Sequence, residues 1–489
     1  VSTGARHLTA ERYRGQFLLS SSPDRVPEGF TRHQRLGWTL GTADLPVADV
    51  RDRDGRWTGW CLGHPIVDGV LGGDVVLDTG ASTRLDRGAV DALYERLAGR
   101  FVLLLVGVED PAVFLDAYGS LAAVYSAEQQ VVASTPTLIG GEVDTELSEV
   151  TGFPRRATWL PFGLTLRRGV RRLLADHTLD LCSWQAGRHW LPTPPGSAPA
   201  GDGRDLATVV HDGLRSAIAA VAAVHPLTLS LTAGRDSRVL LACARDVLDR
   251  TSLFTLVPEG TETVDTHLAR RLASRFDLDH TFLSVLRPDP GSLDGWLAVT
   301  GHAVGGELWQ AHGSLRQLDP ARALLPGTAG EVGRAHTYRP GDPEDGAVRP
   351  ETLLQRLRLP AHPVYLEHAE AWLAGLPDLP YETTLELGYV EQRLSCWAGP
   401  GHYGNQAARF ELAPYASRPL FRAMLASPRA YRSGERLATD ILARAWPELL
   451  ELPFNRHTGV RGAARRALSK AKRTVARAGR RPTAASTAV

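Results

Sequence analysis

The chain has only four cysteines, Cys61, Cys182, Cys243 and Cys396, and no two of them form a CxxC pair. That spacing excludes the usual zinc-ligand patterns and a disulfide framework, and suits thiols kept reduced in a cytosol. An excess of one charge is missing too: Lys+Arg 55 against Asp+Glu 54 leaves a net charge of +1. With no global field, neither nucleic acid nor membrane is expected as a partner. The longest strongly apolar run, Phe101 to Val108, falls far short of the roughly 20 residues of a membrane span. The first residues lack the charged-then-apolar pattern of a secretory signal, so a cytoplasmic location is expected. Two common phosphate-binding fingerprints are absent. No Gly-Lys-Ser/Thr closes a P-loop, and Gly327, Gly330 and Gly333 are spaced three apart rather than as GxGxxG.

Acidic residues also stop at Glu451, beyond which Arg456, Arg461, Arg465, Arg466, Lys470, Lys472, Arg473 and Arg477 accumulate. Such a tail either binds an acidic peptide, RNA or lipid or is an ordinary solvated terminus. The 489 residues suffice for two or three domains, with 43% hydrophobic content to fill their cores. The segment 191–204 (LPTPPGSAPAGDGR) is dense in Pro, Gly and Ser and reads as a linker. It separates a β-rich part, 1–190, from an α/β part, 205–455, with 456–489 as the basic tail. In the first part the spacing predicts strands at Gln16 to Ser20 and Val75 to Asp78 and a helix over Asp86 to Ala98.

In the second part strands and helices alternate. A helix at Leu206 to Val224 is followed by strand Leu227 to Leu231, helix Ser237 to Leu248, strand Ser252 to Val257, helix Val264 to Phe276 and strand His280 to Val285. This is the signature of βαβ units and a parallel sheet, whose ligands bind at the C-terminal strand ends. At the first such end lies Thr232, Ala233, Gly234, Arg235, Asp236, Ser237. A small, hydroxyl-bearing turn entering a helix gathers backbone N–H groups where an anion binds. Asp236 beside an anion asks for a cation between them and reads as a Mg2+ ligand. The alternative is that Asp236 and Ser237 only cap the helix.

This turn resembles the SGGxDS pyrophosphate loop of the asparagine synthetase-like, ATP-pyrophosphatase group, with Thr232 for Ser and Ala233 for the first Gly. The segment Leu324 to Arg334 (LLPGTAGEVGR) resembles that family's second loop, one residue shorter. In the N-terminal part GRFVLLLV, DAYGSLAAVYS and VVASTP, followed by Gly163, Gly169, Val170, Leu173 and His177, resemble its class II glutamine amidotransferase-like domain. The resemblance implies an N-terminal Ntn-like αββα sandwich and an α/β PP-loop synthetase domain with a helical C-terminal region. It implies ATP and Mg2+ as cofactors, with Leu231, Thr232, Ala233, Gly234, Arg235, Asp236, Ser237, Leu256, Pro326 and Gly327 around the nucleotide. Asp236 and Glu331 would hold the metal, although a Gly-rich turn with a surface Glu is the other reading of Glu331.

The departures carry as much information. A glutaminase of this kind uses an N-terminal Cys as nucleophile, whereas this sequence begins Val1, Ser2, Thr3. The domain is therefore expected to lack glutaminase activity. In lactam-forming relatives a Tyr with a carboxylate deprotonates the attacking amine. Glu391 is the candidate for that base here, or else a structural partner of Arg393. The family's Lys after the last helices has no counterpart in Leu452 to Gly459 (LPFNRHTG), where Arg456 and His457 are the available cations. The implied activity is an AMP-forming ligase that adenylates a small-molecule or peptide carboxylate and joins it to an amine as an amide or lactam. The rival is a degenerate homologue acting as a binding or regulatory protein.

Overall fold

The computed structural model describes residues 10–79, 84–154, 158–192, 204–259, 261–406 and 409–456. The expected linker and basic tail fall almost wholly outside these residues, as do Ser2, Thr3 and His457. The N-terminal part is built from two antiparallel sheets. One, six-stranded, has Gln16–Ser20 between Trp38–Ala43 and Val131–Ala133; the other centres on the long antiparallel pair Trp57–Val67 and Leu97–Leu105. Alternation puts Phe17, Leu19 and Leu40 of the first sheet against Trp60, Leu62, Val102 and Leu104 of the second. Helical cover outside this sandwich is thin. The helix Arg87–Tyr94 packs Val90, Leu93 and Tyr94 on Phe101 and Leu103, and the short Pro136–Ile139 covers part of the other face.

The helix expected over Asp86 to Ala98 thus ends at Tyr94, and Leu97 opens a strand instead. Leu97 keeps the helical spacing, but eight cross-strand pairs with Trp60 to Val67 outweigh the local preference. The DAYGS stretch forms a tight buried turn. Its Asp116 carboxylate accepts the N–H groups of Tyr118 (3.2 Å), Ser120 (2.8 Å) and Leu121 (2.9 Å). Gly119 has φ +68° there, a conformation only glycine adopts cheaply. The helix Gly399–Gln406 of the second part seats on this turn, with Tyr403 Oη donating to Ala122 O at 2.5 Å and Tyr118 Oη 3.1 Å from His402 Nε2.

The second part opens with α1 (Arg204–Val224), β1 (Leu227–Ser230), α2 (Arg235–Cys243), β2 (Thr251–Val257), α3 (Val264–Phe276), β3 (His280–Ser284), α4 (Ser292–Val299), α5 (Glu307–Leu315) and β4 (Ala323–Leu325). The four strands form one parallel sheet in the order β3-β2-β1-β4. Buried on both faces, β1 contributes Leu227 and Leu229 to the main core. By length and composition α1 could cross a membrane. Here its Val210, Leu214, Ile218 and Val221 are fully buried with α2 and with the helices Arg418–Ala426 and Arg436–Ala445. Each such side chain contributes roughly 1.5–3 kcal/mol by leaving water.

The helix expected from Ser237 to Leu248 begins two residues earlier and stops at Cys243, and a 3₁₀ stretch Arg245–Arg250 completes the segment. The earlier start has a local cause. Gly234 is extended (φ −75°, ψ 173°) and serves as the N-cap, so Arg235 and Asp236 lie in the first helical turn. The chain then continues through a helical region, Pro350–Arg356 to Pro447–Glu451. Within it Tyr389–Ala398 is wound as a π-helix.

Candidate functional site

The turn from β1 into α2 is held by hydrogen bonds within the loop and to α3. The Ser237 hydroxyl lies 2.9 Å from Thr232 Oγ1 and accepts the Thr232 N–H at 3.1 Å. Thr232 Oγ1 accepts the Gly234 N–H at 3.1 Å. The Ala233 N–H goes to Asp265 Oδ1, 2.7 Å away in the first turn of α3. Three loop amides expected to hold a ligand are therefore engaged within the protein. Those left for an anion are in the first turn of α2, where an α-helix leaves its N–H groups without internal partners and no side chain caps Gly234. Leu231 takes a structural role: it is fully buried, and its carbonyl accepts the Thr255 hydroxyl at 2.6 Å.

The second loop leaves β4 through Pro326 and Gly327. It passes Ala329 at φ +74° and winds into a 3₁₀ turn, Gly330–Arg334, that carries Glu331. A Cβ on Gly327 would stand 3.5 Å from Asp236 Cβ, and one on Gly330 3.3 Å from Asp236 Cγ. The two loops thus meet at Asp236: the Gly327 position would tolerate a Cβ as an ordinary contact, whereas at Gly330 a Cβ would also crowd the Tyr415 ring at 3.2 Å. The left-handed conformation costs a non-glycine residue about 1–2 kcal/mol. Ala329→Gly is accordingly expected to raise the unfolding free energy by up to about 1 kcal/mol, measurable by urea titration.

Between the two acids lies Arg334. Its Nη2 is 2.7 Å from Asp236 Oδ2 and 4.0 Å from Glu331 Oε1. Asp236 and Glu331 are brought together as expected, and a guanidinium is the cation between them. Burial pushes the Asp236 carboxyl up to about 6; Arg334 opposes the shift, while Glu331 and Glu435 add to it. Because the folded-state value is raised, this group favours the fold below its unfolded value near 4 and loses that contribution as pH rises through about 6. Relative to Asp236→Asn, the wild type should therefore lose on the order of 2–3 kcal/mol of stability between pH 4 and pH 7. Chemical denaturation at several pH values measures this. No group of three or more His, Cys, Asp or Glu residues converges on a metal position among the described residues.

The C-terminal stretch returns onto the loop. Arg238, which reads as a surface residue, is completely buried, and its guanidinium donates to the carbonyls of Leu449 (3.1 Å), Leu452 (2.6 Å) and Pro453 (2.7 Å). Phe454 lies 4.5 and 4.4 Å from the guanidinium carbons of Arg235 and Arg238. Asn455 N–H donates to Ala233 O at 3.0 Å. A cavity of about 550 Å³ opens beside Arg235, Glu435, Phe454, Asn455 and Arg456, with Arg235 paired to Glu435 at 2.6 Å. At the end of β2, a second cavity of about 500 Å³ is lined by Val257, Thr261, Thr266 and Arg270. Leu256, whose backbone is the expected contact to adenine, lies at this strand end with its side chain packed against the Phe254, Leu318 and Leu324 cluster.

Glu391 is not at this site. Its carboxylate is wholly buried and takes both Arg188 Nε (2.7 Å) and Arg188 Nη2 (2.8 Å), with Trp372 Nε1 at 2.7 Å. Every oxygen is committed, so the role of base is withdrawn. The partner is also not Arg393, which stacks 3.8 Å from the Trp397 ring centroid. Asp265 and Glu435 escaped the sequence reading. The available signal for Asp265 was the Thr263-x-x-Thr266 capping box, which starts a helix at the same sheet edge. No protein-family model matches this chain, and no curated protein matches it in sequence at a significant level.

Proposed function

We propose that the chain is an ATP-dependent, AMP-forming ligase that activates a carboxylate and joins it to an amine. The observation that carries this reading is the convergence of Asp236 and Glu331, from the ends of two adjacent parallel strands, beside an uncapped helix N-terminus. Mg2+ commonly takes one or two carboxylates and fills its shell with phosphate oxygens and water. Asp236 and Glu331 fit that requirement, since they already share one cation, Arg334. They would hold the ion, which when bound would neutralise phosphate charge.

In the proposed reaction a substrate carboxylate oxygen attacks the α-phosphorus of ATP, the bond to pyrophosphate breaks, and an acyl-adenylate forms. The α2 first-turn amides receive the charge that develops on the departing pyrophosphate. Arg334, released from Asp236, and Arg235 supply further guanidinium donors suited to phosphate oxygens. An amine then attacks the acyl carbon and AMP leaves, giving an amide or lactam; the amine proton goes to solvent or to a base other than Glu391. The cavity at Val257 and Thr261 is of a size to take the adenine ring, and Arg456, which lines the cavity beside the loop, would stand in for the Lys that the resembled family carries in this segment. An N-terminal part acting as a scaffold and a cytoplasmic setting complete the proposal.

One observation favours a second reading, a homologue that has kept the fold as a binding or regulatory protein. Its own Arg334 and Asp265 occupy groups that a nucleotide complex would use. Pyrophosphate release from ATP, Mg2+ and a panel of amino-acid, sugar-acid and peptide carboxylates separates the two. The ligase reading expects release that depends on the carboxylate. Nucleotide binding without release on any carboxylate would favour the second.

A further inference from the structure

A separate cleft begins two residues beyond β3, at Leu286, and is closed by α4 and α5. Its volume is about 640 Å³, within the range of small-molecule sites. The chain enters it from the same end of the parallel sheet as the β1–α2 turn, and β3, which leads into it, stands two strands from β1, about 10 Å at ordinary strand spacing.

The inner wall is aromatic and fixed. Trp296 is buried and donates its indole N–H to Val304 O at 2.8 Å. Trp309 donates its own to Ser292 Oγ at 3.0 Å. With both N–H groups committed, the indoles offer only faces and edges to a ligand. Trp296 can lie where it does because residue 404 is glycine, since a Cβ there would fall 2.1 Å from its ring. His312 stands behind, its ring 5.1 Å from that of Trp296 and its Nδ1 3.1 Å from Asn405 Oδ1.

The mouth is cationic. Arg287 and Arg316 line it, and among the described residues neither guanidinium makes a hydrogen bond or an ion pair. The one carboxylate in the lining, Asp289, is turned to its own loop and accepts the Gly291 N–H at 3.2 Å. A bare inorganic anion would gain nothing from the indole wall. A neutral apolar molecule would leave both arginines idle.

We propose that this cleft binds an organic anion with a flat, ring-bearing body, its carboxylate held by Arg287 and Arg316 and its ring packed against Trp296 and Trp309. The site is distinct from the nucleotide position and does not depend on the ligase reading, so it is tested without ATP. The probes are 2-naphthoate, its neutral amide 2-naphthamide, and inorganic phosphate, titrated calorimetrically into the full chain with indole fluorescence followed in parallel.

Naphthoate is expected to bind about tenfold or more tightly than naphthamide, as charge-assisted bonds to a carboxylate require, and to quench the indole emission. Phosphate, which can reach the β1–α2 turn, is expected neither to quench the indoles nor to displace naphthoate from the cleft. In the double variant Arg287→Gln/Arg316→Gln, whose changes are both at exposed positions, naphthoate affinity should fall to that of the amide. Trp309→Ala should weaken both aromatic probes. Equal affinity for naphthoate and naphthamide, unchanged naphthoate affinity in the double variant, or no naphthoate binding up to millimolar concentration would each overturn the proposal.

Discussion

Asp236→Ala is expected to reduce carboxylate-dependent pyrophosphate release by a factor on the order of 10³, while the protein stays folded. On the proposed reading Asp236 would hold the metal that neutralises phosphate charge, and its loss would forfeit several kcal/mol of transition-state stabilisation. The fold tolerates the change because this carboxyl is held in its ionised form against burial, which pushes it up to about 6. Arg334 also retains Glu331 at 4.0 Å as a partner. Initial rates at saturating ATP, with melting curves of both proteins, measure the two halves of this prediction. A rate equal to wild type would remove Asp236 from the chemistry.

Glu391→Ala is expected to have the opposite profile, a loss of about 3–5 kcal/mol in stability, which is the cost of leaving a buried partner unpaired. Arg188 and Trp372 would both lose their acceptor, and Arg188 joins the N-terminal part to the helical region across 203 residues of sequence. The rate per folded molecule should be unchanged below the melting range. A further substitution, Arg188→Met with Glu391→Leu, should recover the part of the loss that comes from the unpaired guanidinium, because an apolar pair in place of a buried ion pair is often neutral, while the Trp372 indole N–H still lacks its acceptor. If Glu391→Ala instead kept its melting temperature and lost activity, the carboxylate would be catalytic after all.

These two acids show what local sequence carries and what it does not. Strand β2 and helix α3 were legible nearly to the residue, because alternation and a helical stripe are properties of neighbours in sequence. The start of α2 was misplaced by two residues, because Gly234 enters the helix from an extended conformation open to any residue, which no sequence pattern marks. The meeting of Asp236 with Glu331 followed from the rule that parallel strands deliver their ligands at one edge. The guanidinium between them did not, because Arg334 reaches Asp236 across 98 residues of chain and no periodicity encodes such a contact. For the same reason the structural reading of Glu391 was right in kind but named Arg393 where the partner is Arg188. An isolated acid in a helical segment has the same local pattern whether it faces a substrate or an arginine from the other end of the chain. Arg238, set among hydroxyls and charges, looked like surface and is a buried strut for the C-terminal stretch.

The ligase function requires that the crook between β1 and α2 accept the phosphate tail of a nucleotide. A structure with Mg2+ and a non-hydrolysable ATP analogue tests that most directly. The expected result is β- and γ-phosphates against the first-turn amides of α2, a metal ion on Asp236 and Glu331, and Arg334 moved from Asp236 onto phosphate. Arg334 still on Asp236, with the analogue elsewhere or absent at saturating concentration, would contradict it.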